Sequence, residues 1–147
     1  MSRNTLLAAL LGLAFTGPAL AAQADHVKVE HAWIRQLPGD LPAAGYADLV
    51  NEGDAPAVLR SASSPAFASA MLHRSSHEGG MNRMSMVDHL DIPAHGHVSL
   101  APGGYHVMLM DPAEPLAVGQ KVPLRFEFAD GSTLEANFEV RAANAGG

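Results

Sequence analysis

The sequence predicts an all-β protein, a Greek-key sandwich or barrel of seven or eight short strands, and three observations carry that expectation. Beyond the first 22 residues, no window of a dozen residues repeats its apolar positions at the helical period. Apolar and polar residues alternate instead in short runs, separated by turn residues drawn from the 14 glycines and 10 prolines. A 147-residue chain that is 48% apolar is enough for one core and too short for two of ordinary size.

Residues 1–22 read as a secretory signal peptide. Arg3 supplies the positive start, Leu6 to Phe15 the apolar run, Gly17-Pro18 the break and Ala19-Leu20-Ala21 a small-x-small cleavage site. Ala22-Gln23-Ala24 offers a second such site. The apolar run is shorter than the roughly 20 residues a bilayer span needs, so export without membrane insertion is expected. No lipobox cysteine is present to anchor the product.

The folded domain is expected over residues 25–141. Val27, Val29, His31 and Trp33 share one parity of a first strand, which places Trp33 in the core and leaves Arg35 to pair with a carboxylate. Two prolines and a glycine in Leu37 to Pro42 end it, and Ala44 to Asn51 forms a second strand stopped by Glu52-Gly53-Asp54. Ala57 to Ser63 and Ala68 to Arg74 follow on either side of Pro65. Glu78-Gly79-Gly80 marks a hairpin into a strand holding Met84 and Met86, a register that sets His73 opposite Met84. Asp91-Ile92-Pro93 and Gly96 read as irregular, and Val98 to Ala101 as short and extended. Pro102-Gly103-Gly104 turns the chain into a strand from Tyr105 to Asp111. Val122 to Phe128 pairs with Ser132 to Arg141 across Asp130-Gly131, and residues 142–147 read as an unstructured tail.

Six of the seven methionines and six of the eight histidines fall between Met71 and Met110, and cysteine is absent. Thioether with imidazole is a donor set for the soft Cu(I) ion, whereas zinc favours thiolate, imidazole and carboxylate, and calcium or magnesium oxygen. In an oxidising compartment a thioether cannot be captured as a disulfide, though it can become a sulfoxide. A blue-copper electron carrier needs a cysteine thiolate and is excluded by composition. A net charge of −6 argues against a nucleic-acid partner.

Side chains two apart on a strand project from one face, so His106-x-Met108 forms half a site, with Met110 continuing the row. His73 and Met84 supply the other half across their hairpin. The alternative for Met108 and Met110 is plain core packing.

The spacing His73, ten residues, Met84, twenty-one residues, His106, one residue, Met108 resembles the signature of the PCu(A)C family of periplasmic copper chaperones. His31-Ala-Trp33-Ile-Arg35, Ala44-Gly-Tyr46, Asn51, the Glu78-Gly79-Gly80 turn and Pro102 to His106 are similar to the family as well. The resemblance implies a cupredoxin-like barrel in the periplasm. It implies one Cu(I) held by His73, Met84, His106 and Met108 for delivery to a respiratory oxidase's copper-centre subunit or its assembly factors. A monomer and no enzymatic activity go with that role. Copper scavenging is the alternative role, and a histidine-based zinc hydrolase, with Glu78 or Asp88 as base, the alternative class.

Of the remaining donors, His77, Met81 and Met86 are candidates for secondary ligands or an access route, against the plainer reading of Met86 as core and His77 as solvated. His89, His95 and His97 are candidates for a weaker Cu(II) position, against exposed loop histidines. The tail lacks the His and Met residues that some family members carry there.

Overall fold

A computed structural model describes residues 20–145; most of the expected signal peptide (1–19) and the last two residues of the tail lie outside that range. Among the described residues, a single 3₁₀ turn, Gln23–His26, precedes ten strands. They are β1 (Val27–Arg35), β2 (Ala43–Asn51), β3 (Ala57–Ser63), β4 (Phe67–Glu78), β5 (Met81–Met86), β6 (Leu90–Ile92), β7 (His97–Leu100), β8 (Tyr105–Pro112), β9 (Lys121–Phe128) and β10 (Thr133–Arg141). The all-β expectation holds. The segment read as irregular before Pro93 is a short strand, because Leu90 and Ile92 bury their side chains while pairing with Leu59 and Ala57 of β3.

Hydrogen bonding joins the strands in the order β5-β4-β8-β7-β2-β1-β10-β9-β3-β6, with a further β8–β2 pairing. Neighbours distant in sequence, such as β4 with β8 and β1 with β10, are the long returns that Greek-key arrangements use. The sheet curls so that Leu49, Leu72, Val107 and Leu109 of one half share a single apolar cluster with Leu59, Leu124, Phe126 and Phe138 of the other. Phe126 and Phe138 are fully buried with ring centroids 6.0 Å apart. Phe126→Ala should therefore cost about 3–5 kcal/mol of unfolding free energy, read by urea denaturation; a loss below about 1 kcal/mol would show that the ring is not a core element.

β1 departs from its simple alternation. His31 adopts φ 51°, and the pairing with β2 slips between Glu30 and Trp33. One extra residue in one strand exchanges the two faces beyond it. Val27 and Val29 thus pack on the core, but beyond the bulge Ile34 does so and Trp33 turns to the opposite face. Trp33 is buried there rather than in the core, with its ring 4.9 Å from that of Tyr46. Arg35, expected to meet a carboxylate, lies over both rings at 5.4 and 5.5 Å, a cation–π arrangement, and its Nε has no hydrogen-bond partner.

Candidate metal centre

β8 has β4 on one side and the start of β2 on the other, and β5 borders β4 at the sheet's end. Registers across these strands decide which side chains meet. His73 pairs with His106, Met71 with Met108, and Ser69 with Met110 between β4 and β8. Directly opposed residues project to the same side of an antiparallel pair. The intervening Leu72, Val107 and Leu109 point into the core and are almost or wholly inaccessible. His73, His106, Met108 and Met110 therefore lie on the outer side of the sheet, which rules out core packing for Met108 and Met110.

The hairpin register differs from the sequence expectation. Gly79 and Gly80 both have positive φ, 59° and 77°, so they are the two-residue loop, and Glu78 closes it against Met81. Centring the loop one residue earlier would have faced His73 with Met84; as folded, His73 faces Met86 and Met84 faces Ser75. The shift is two residues, so the face is preserved. Met84 remains on the same side as His73, one diagonal step away, and Met86 is added to that side.

Of the two imidazoles, His106 is buried and His73 half-buried. His106 is 4% exposed, a covered position rather than one at an open rim. Its ring lies 6.4 Å from Tyr46 and 5.8 Å from His73, the latter at 63°. His106 Nδ1–H donates to Gly104 O at 3.2 Å, which fixes the tautomer and leaves the Nε2 lone pair free. The same carbonyl accepts from Ser75 N at 2.9 Å, tying the Pro102–Gly104 turn to β4.

His73 has no such partner. Both its ring nitrogens are shielded from solvent and neither makes a hydrogen bond. Desolvation, reinforced by the neighbouring His106, holds its pKa below the ordinary histidine value. An unsatisfied buried polar group costs about 1–3 kcal/mol, so two on one ring call for a physical reason.

The thioethers grade from covered to open. Met108 is half-buried, whereas Met84, Met86 and Met81 are 54%, 69% and 58% exposed. Met86 is thus not a core residue. The alternation of Met84 with Met86 was the available sign that both share a face. No such sign marked Met71, whose place beside Met108 depends on strands separated by a long stretch of chain. Four other histidines do not join them. His95, at φ 52°, binds Asp54 at 2.7 Å, His31 binds Asp48 at 2.9 Å, and His89 and His97 are exposed. Among the described residues, no group of three or more His, Cys, Asp or Glu is placed to hold a metal ion.

The LpqE-like family model matches residues 27–140, the span of nearly all ten strands. The chain belongs to the LpqE-like family. Its relatives include Lxx21020 of Leifsonia xyli subsp. xyli, carried under a lipoprotein name, 38% identical over 146 residues that cover 94% of this chain and 87% of the relative. Among solved structures, CuI-DR1885 from Deinococcus radiodurans is 40% identical, with a TM-score of 0.65, covering 82% of this chain and 81% of that one. The copper-bound PCuAC domain from PmoF2 is 29% identical, with a TM-score of 0.64, covering 80% of this chain and 93% of that domain. The LpqE-like chain thus shares its fold with solved PCuAC domains, among them a copper-bound one.

Proposed function

We propose that this LpqE-like protein carries one Cu(I) ion outside the cytoplasm, held by His73, Met84, His106 and Met108, and hands it to a copper centre of a respiratory oxidase. The observation that carries the reading is His73, with two shielded nitrogens and no partner in the protein. A metal ion answers that deficit in a way a water-filled surface does not. Imidazoles bound to one ion through nitrogen bonds of about 2.0 Å have ring centres roughly 5–6.5 Å apart, and the 5.8 Å between His73 and His106 falls in that range. The donors beside them are thioethers, which suit Cu(I) and not zinc. The copper-bound state of two solved relatives supports the same cargo.

Each residue has a distinct part. His106, locked by Gly104, presents a fixed lone pair at the covered end. The surroundings of His73 disfavour its charged ring, which favours the unprotonated form that binds metal. Met108 adds a half-buried sulfur, and Met84 an exposed one. A neutral, individually weak thioether on the open side can be exchanged for an acceptor's donor while the covered side still holds. The N-terminal signal features support export to the periplasm, where the family's lipoprotein-named member also points away from the cytoplasm.

The test is an anaerobic titration of the apo protein with Cu(I) against a chromogenic Cu(I) chelator. One colourless equivalent should be retained. Full loss to a weak chelator, or retention of zinc instead, would overturn the assignment and return the histidine-based hydrolase to consideration.

A further inference from the structure

The same face of the β4–β5 hairpin continues outward past the four donors, and the residues there are not idle. On β4 it carries His73, Ser75 and His77, and on β5 Met86, Met84 and Asn82, in directly opposed pairs. His77 Nδ1–H donates to Asn82 Oδ1 at 2.7 Å. This bond does for His77 what the Gly104 carbonyl does for His106: it sets the tautomer and leaves the Nε2 lone pair available for a metal. His77 and Met84 line one hollow of about 480 Å³ with Ser75 and Gly103, next to the turn that holds His106. Met84 thus sits between two imidazoles on its own face, His73 inward and His77 outward.

We propose that His77 and Met84 form a second, outer copper-holding position through which Cu(I) enters and leaves, with Met84 shared between the inner and outer positions. The inference rests on copper carriage by the inner donors. The step is ligand exchange alone: copper remains Cu(I), the His77 Nε2 bond forms as a bond to His73 or His106 breaks, and Met84 stays attached throughout. No proton or electron has to be supplied. An exposed imidazole–thioether pair binds more weakly than the full inner set, which is the property a hand-over position needs.

Two measurements on the full apo protein test it. Anaerobic Cu(I) titration followed by imidazole ¹⁵N NMR should move the His73 and His106 nitrogens first and His77 Nε2 as copper exceeds one equivalent. His77→Ala, a change at an exposed position, should leave affinity for the first ion within about twofold yet slow transfer to a chelator by about tenfold, the scale on which groups around a metal act. A silent His77 nitrogen, or an unchanged transfer rate in the variant, overturns the outer position. Silence at His73 and His106 would be a different result, sinking inner copper carriage and the outer position with it.

Discussion

Met108→Ala should weaken Cu(I) binding by at least about tenfold while leaving the fold in place, and His106→Ala should do the same with some loss of stability. The two differ because of where the side chains lie. Met108 is half-buried on the outer side of β8, so truncation removes a sulfur and little packing. His106 is covered by Tyr46 and bonded to Gly104, so its removal also leaves a gap and takes away one of the two hydrogen bonds that the Gly104 carbonyl accepts, the one from Ser75 N remaining. Competition with a chromogenic Cu(I) chelator measures affinity, and far-UV circular dichroism checks folding. Wild-type affinity in both variants would take β8 out of the site.

Acid should empty the protein. Imidazole binds metal only when unprotonated, so affinity should fall continuously from neutrality to about pH 4, and a flat profile would exclude histidine ligation. The apo protein should respond as well, with a sign set by His73. Its folded pKa lies below the unfolded value, first through desolvation and second through His106. The unfolded chain therefore takes up the proton more readily as pH drops through about 6.5, and apo stability, undiminished above that value, declines below it. Thermal melts of apo protein at pH 7.5 and pH 5.5 measure the difference, and His73→Phe should shrink it. An apo protein more stable at the lower pH, or an unaltered difference in the variant, would show that His73 is not shielded as described.

Much of this was legible before any coordinates. Alternation and turn residues placed the strands, and the donors stood out by type: thioether and imidazole concentrated in one stretch with no thiolate. Period-two spacing put His106 and Met108 together without knowledge of the fold. What stayed hidden depended on where the chain breaks its own regularity. The bulge at His31 moved Trp33 from the core to the outer face, and nothing in Glu30-His31-Ala32 announces a residue at positive φ. The hairpin register turned on whether the loop was Glu78-Gly79 or Gly79-Gly80, a choice that changed which methionine faces His73. The pairing of β4 with β8, which creates the His73–His106 contact, joins segments separated by three other strands. Local patterns cannot report such a pairing; it follows from how the whole sheet closes over its core.

The two sides of β4 and β8 do different jobs with alternate residues of the same backbone. Leu72, Val107 and Leu109 anchor the strands from beneath, so the positions of His73, His106 and Met108 are set by packing on the opposite face. The half-buried Met108 and the exposed Met84 can then be replaced without repacking the interior, whereas the covered His106 ties the outer face to the stability of the sheet.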